Sequence, residues 1–141
     1  FAIAGAFEST KLSVWVGHIF SQLASGQPVW LLVVLVCVLL TFLTEFTSNV
    51  ATVNALLPII AAASVALKID PRLLMIPATI SASCAFMLPI GTPPNAIVFG
   101  TGRIRMGQMA GYGLIMNLAG VVLATLATFW LMVPQLGIRL P

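Results

Sequence analysis

Three polar residues, Thr47-Ser48-Asn49, interrupt an apolar stretch that runs from Val29 to Leu67. The fifteen residues from Val29 to Leu43 carry no charge, and neither do the eighteen that follow the break, Val50 to Leu67. If the surroundings are lipid, a break of this kind leaves backbone N–H and C=O groups that the solvent cannot pair. It persists only where it is buried in protein or lines a watery cavity. Composition decides what the surroundings are. The chain is 60% hydrophobic and 6% charged, whereas a soluble domain carries about 25% charged residues. Six basic and three acidic side chains among 141 residues cannot cover a water-facing surface. The chain is therefore read as an all-α integral membrane protein, and the break as a place where something polar binds.

The formal net charge is +3. The basic residues are scattered between apolar segments, so they do not form a nucleic-acid-binding run. Cys37 and Cys84 sit inside apolar runs and read as small hydrophobes. With one histidine and no Cys/His cluster, no transition-metal site is supported. No His/Asp/Glu constellation suggests an enzyme. Residues 1–10 lack the basic start and cleavage site of a signal peptide. The chain begins at Phe1 and is expected to be the C-terminal part of a longer protein.

A membrane span needs about 20 apolar residues. Residues 1–8 read as the end of a preceding transmembrane helix that stops at Glu8. Residues 9–27 read as an amphipathic connecting helix lying at the interface. Leu12, Trp15, Val16, Ile19, Phe20 and Leu23 share one face there, and Lys11, His18, Ser21, Gln22 and Ser25 lie elsewhere. Residues 28–67 allow either one over-long tilted helix or a re-entrant hairpin with its tip at 44–49. The hairpin fits better, because fifteen residues rise only ~22 Å and Glu45 is costly on a lipid-facing helix.

Lys68 to Arg72 form a polar turn, with Pro71 placed for the first turn of the next helix. Residues 72–100 read as one span broken at 91–95, Gly91-Thr92-Pro93-Pro94-Asn95, where two prolines remove backbone donors. Thr92 is placed to cap the helix that restarts there. The loop 101–108 carries Arg103 and Arg105 without an acid, which puts it in the cytoplasm. Residues 109–133 form the last transmembrane helix, with Trp130 as an interface anchor. On that count the turn at 68–72 is external and the hairpin enters from outside.

Paired broken helices are the strongest pointer in a sequence to a transporter's binding site. Their amide ends attract anions, and their carbonyl ends and hydroxyls attract small cations. Ser48 and Asn49 start one half-helix and Thr92 starts another. Pro93 and Pro94 have no N–H, so the second tip depends on the Thr92 hydroxyl and on the amides of Asn95 and Ala96. No Lys or Arg lies at either tip. An anion bound there needs its charge offset, and a co-bound sodium ion is the economical answer. Thr44, Thr47, Asn49 and the Gly91 carbonyl offer the oxygen ligands a hard cation prefers. Glu45 either carries a proton or steadies the hairpin tip by accepting backbone N–H bonds, and the structural role is favoured. Asn54 and Asn117 read as hydrogen-bonding residues between helices, and Gly111, Gly113 and Gly120 as close-packing positions.

Thr44-Glu45-Phe46-Thr47-Ser48-Asn49-Val50-Ala51 resembles the second Ser-Asn-Thr signature of the divalent anion:sodium symporter family. That family includes the sodium-coupled di- and tricarboxylate transporters. Ser83-Cys84-Ala85-Phe86-Met87-Leu88-Pro89-Ile90-Gly91-Thr92-Pro93-Pro94-Asn95-Ala96-Ile97-Val98-Phe99 resembles its other hallmark. The resemblance implies an inverted-repeat elevator transporter in which this chain is the C-terminal part of the second repeat. It would hold the re-entrant hairpin, the broken helix and the final transmembrane helix. It also implies an N-terminal repeat elsewhere, a homodimer, and a multi-pass protein of the plasma membrane, the inner membrane in a bacterium.

By the same resemblance Ser48, Asn49, Thr92 and Pro93 contact substrate, and Thr44, Thr47, Asn49 and the Gly91 backbone hold sodium. Many bacterial members have Thr where this chain has Val50, a substrate-side position. Gly91 replaces a commoner Ala, a change expected to matter less. The implied function is sodium-coupled import of di- or tricarboxylates of the succinate, malate, fumarate or citrate type, or of a related divalent anion. Sodium serves as coupling ion and no organic cofactor is called for. A sodium-independent anion exchanger of the same family is the alternative. A passive anion channel is the alternative of a different class.

Overall fold

The computed structural model describes residues 26–138. The expected helix end at 1–8 and nearly all of the expected interfacial helix at 9–27 lie outside the described residues. The described residues are helical, with no strand among them. Helix α1 spans Val29–Thr44, α2 spans Asn49–Ala66, α3 spans Pro71–Ala82 and α4 spans Pro93–Gly100. Helix α5 spans Met106–Ala127 and runs through a π-helical turn, Thr128–Met132, into a last turn, α6, at Val133–Leu136.

The chain does not pass through the first polar interruption as one helix. It leaves α1 at Thr44 and restarts at Asn49, inside the bounds expected for the tip. Helix α1 is apolar all round. Leu32, Val33, Val36, Cys37 and Leu40 are buried, while Trp30, Leu35 and Leu39 are exposed. A helix of this kind belongs in a membrane or in the core of a larger protein. The stretches Asn49–Ala66 and Met106–Leu136 are long and apolar enough to cross a membrane.

Helix α3 packs mainly against α1 and α2, and α5 packs mainly against α1, whereas α1 and α2 touch each other far less. Leu73, Leu74, Ala78 and Ala82 supply the buried face of α3. Because lipid tails are as apolar as leucine, such contacts hold by close packing and hydrogen bonds rather than by escape from water. One such bond joins α1 to α3: the buried Thr41 hydroxyl donates to the Ser81 carbonyl at 3.2 Å.

Local chemistry explains the ends of these helices. Lys68 takes a left-handed conformation (φ 57°) after α2. Ile69 N–H donates back to Ser64 O at 2.9 Å, which closes the helix end. Asp70 caps α3 by accepting from Arg72 N–H at 3.0 Å, and Pro71 occupies the first turn. The Arg72 side chain, bonded to Asp70, holds that carboxyl below its usual range.

Two boundaries differ from expectation. Helix was expected to reach Ile90, yet α3 stops at Ala82, and Ser83–Thr92 is not helical. The break is therefore longer than 91–95 and begins earlier. The last helix begins at Met106 rather than 109 and continues to Leu136. Pro134 explains its π-turn, because a proline has no N–H and its ring crowds the carbonyl four residues back, which a wider turn relieves.

Candidate functional site

The two interruptions meet. A cavity of about 480 Å³ is lined by Phe46, Thr47, Ser48, Asn49 and Val50 from one break and by Ile90, Gly91, Thr92 and Pro93 from the other. Of the residues expected to contact an anion, Ser48, Asn49, Val50, Thr92 and Pro93 all line it. Of those expected around a cation, Thr47, Asn49 and Gly91 line it and Thr44 does not. Thr44 is fully buried, and its hydroxyl bonds back to Leu40 O at 2.9 Å and Thr41 O at 3.0 Å. Among the described residues, no Lys or Arg lines the cavity.

The hairpin side offers unsatisfied polar groups. No side chain caps the start of α2, where Ser48 is the N-cap residue. The side-chain oxygen of Asn49 is buried and has no hydrogen-bond partner among the described residues. A buried acceptor left alone costs about 1–3 kcal/mol, so this oxygen suits a cation or a donor brought by a ligand. Thr47 hydroxyl donates to Leu43 O at 2.8 Å and lies 2.6 Å from the Thr52 hydroxyl. Thr52 was not singled out in the sequence, because within a helix a threonine carries no local signal of a partner five residues back.

The second side is more self-contained than expected. The Asn95 amide donates to the Thr92 hydroxyl at 3.4 Å, and the Ala96 amide donates to Thr92 O at 3.2 Å. Both amides thus cap α4 and are not free for an anion, so Thr92 offers its hydroxyl hydrogen alone. The Asn95 side chain bonds Ala85 O at 2.8 Å and Leu88 O at 3.0 Å, bracing the non-helical segment. A lone Asn behind two prolines in an apolar setting was the available signal for this role.

Glu45 explains how a ten-residue stretch without helix survives here. Its Oε1 accepts from Met87 N–H at 2.9 Å and from Asn117 Nδ2 at 2.7 Å, and its Oε2 accepts from Leu88 N–H at 3.0 Å. Asn117 in turn accepts from Phe86 N–H at 3.1 Å. Three consecutive amides that a helix would have paired are satisfied by two buried side chains. Glu45 thus takes the structural role, but it steadies the second break rather than its own tip. Asn117 joins two elements as expected, whereas Asn54 is exposed.

Glycines allow the close approach this requires. A Cβ on Gly113 would stand 2.4 Å from Phe86 O and 2.5 Å from Met87 Cα, and one on Gly120 would stand 3.0 Å from Cys84 Sγ. Gly111 has open space, so it is not a packing position within the described residues. A Cβ on Gly91 would meet Glu45 Oε2 at 3.2 Å. An alanine there requires the carboxylate to give by a few tenths of an ångström.

Apolar helices with two interruptions converging on one cavity define a membrane protein of the broken-helix kind. The chain belongs to the divalent anion:sodium symporter family: residues 1–136 match the family described as the sodium:sulfate symporter transmembrane region. It is 44% identical over 97% of its length to a sodium-dependent dicarboxylate transporter of Staphylococcus saprophyticus, of which it covers 26%. It is 46% identical over 90% of its length to Na(+)/dicarboxylate cotransporter 3 of Rattus norvegicus, of which it covers 21%. The human protein of the same name is 45% identical over the same share. The chain thus spans about a quarter of the length of the relatives it matches.

Proposed function

We propose that this chain supplies one half of the binding site of a sodium-coupled transporter for di- or tricarboxylates or a related divalent anion. The carrying observation is that both breaks line one cavity to which no described residue adds a basic side chain. The uncapped start of α2 suits the anion, with the hydroxyls of Ser48 and Thr92 as donors. The unpartnered Asn49 oxygen, Thr47 and the Gly91 carbonyl suit sodium. Thr44 adds its hydroxyl oxygen only if the end of α1 shifts towards the cavity. The relatives' names, sodium-dependent dicarboxylate transporter and Na(+)/dicarboxylate cotransporter, support both the ion and the substrate class.

In this proposal α1 and α2 form a re-entrant hairpin entering from the outer face, and Arg103 and Arg105 mark the cytoplasmic side. The other half-site comes from an N-terminal repeat, in an elevator-type homodimer of the plasma membrane. The test is uptake of succinate, malate and citrate by the full-length protein in proteoliposomes, with sodium replaced by choline. Accumulation that requires sodium is expected. Obligatory exchange without sodium would replace the proposal with an anion exchanger, and downhill flux alone would replace it with a channel.

Val50 gives a second expectation. It lines the cavity and is 70% exposed. A hydroxyl there can donate a hydrogen bond to a carboxylate, so Val50→Thr is expected to change the preference among dicarboxylates by about 1.5 kcal/mol, the low end for a bond to a charged group. Competition assays with succinate, malate and citrate check this, and identical relative affinities would refute it.

A further inference from the structure

Of the two acidic residues described, Asp70 lies in an exposed turn and Glu45 is buried, with 1% of its surface exposed. Glu45 does not line the cavity, so the binding step proposed above leaves it without a task. Yet it belongs to both walls. In sequence it lies within the hairpin tip, between Thr44 and Thr47. In hydrogen bonding it belongs to the other break, through Met87 N–H and Leu88 N–H. Its Oε2 also fills the space beside Gly91, 3.2 Å from where a Cβ would stand. Among the described residues, no other side chain of the hairpin tip hydrogen-bonds to the broken segment.

A cation held by oxygens from two separate segments is bound only as firmly as the spacing of those segments is fixed, and residues that orient ligands tune affinity without touching the ion. We infer that Glu45 is the positioning residue of the cation site. It holds the Gly91 carbonyl at a set distance from Thr47 and Asn49, so that oxygens of both breaks close on one ion. This inference rests on the sodium-coupled function proposed above.

The test is Glu45→Gln in the full-length protein. Glutamine keeps the size but turns one acceptor into a donor facing the Leu88 or Met87 amide. Two readouts apply: the sodium concentration for half-maximal uptake, and that for half-maximal thermal stabilisation in detergent. Both are expected to rise by roughly tenfold, while the anion's half-saturation at saturating sodium moves by less than about twofold. Sodium titrations of the folded variant that coincide with the parent's overturn the inference. A purely structural role would lower the yield of folded protein and leave the midpoints in place, which counts against it equally.

Should the Gln variant fail to fold, Asn117→Ser decides in the same way. It removes a bond to Glu45 from 72 positions away and alters neither tip. A parent protein indifferent to sodium would remove the proposed function and this inference together. A sodium-dependent parent with unshifted variants would remove the inference alone.

Discussion

Gly113→Ala separates the last long helix from the broken segment and lowers the stability of the protein by about 3 kcal/mol. The added methyl would lie 2.4 Å from Phe86 O, 2.5 Å from Met87 Cα and 2.6 Å from Phe86 C. All three are backbone atoms, so no side-chain rotation relieves the clash. Asn117 lies one turn further along the same face, and the displacement pulls it away from Glu45 Oε1 and Phe86 N–H. Gly111→Ala is the control. No atom of the described residues lies within 4 Å of that Cβ, and alanine in place of a helical glycine gains up to about 1 kcal/mol. Thermal unfolding of the two variants of the full-length protein is therefore expected to move in opposite directions. A Gly113→Ala protein that unfolds at the parent's temperature would show that α5 does not approach the break this closely.

Glu45→Ala is expected to prevent the second break from forming. It strands the amides of Met87 and Leu88 and one side-chain N–H of Asn117 in a buried setting. Each unsatisfied donor costs about 1–3 kcal/mol, and lipid offers none of them a partner. Asn117→Ala removes one donor to Glu45 and one acceptor from Phe86, so it is expected to cost less. The order of the two variants is the check. Size-exclusion profiles and unfolding temperatures should rank the parent first, Asn117→Ala next and Glu45→Ala last. The reverse order would place the weight of the network on Asn117.

The first break was legible because its signal is local. Three adjacent polar residues in an apolar run mark the end of α1 and the start of α2 within the expected tip. The start of α3 was legible for the same reason, since Asp70-Pro71 carries both a cap and a first-turn proline. The second break was half legible. Its end at Thr92-Pro93 is written in the prolines, but its beginning at Ser83 is not. Pro89 disfavours helix at Leu88, but nothing in Ser83–Met87 forbids it on its own. What frees that stretch from helix is a carboxylate about 40 positions earlier and an amide about 30 positions later, and such long-range partners leave no periodic trace. The site residues followed the same division. Those at the tips could be named from the sequence as candidates and line the cavity, whereas Thr52 and the bracing side chain of Asn95 act through contacts that only the fold creates.

The threonine hydroxyls on the two walls differ in where their hydrogens point. Thr47 has committed its hydrogen to Leu43 O, and the Thr52 hydroxyl, whose hydrogen then faces Thr47, takes up a lone pair. What Thr47 still presents to the cavity is electron density. Thr92 is the mirror case: its oxygen receives the Asn95 amide, and its hydrogen remains to be given. Of these two hydroxyls, Thr47 can therefore only accept and Thr92 can still donate. Two hydroxyls facing one cavity thus favour opposite charges by the direction of their O–H bonds, with no charged side chain among the described residues that line it.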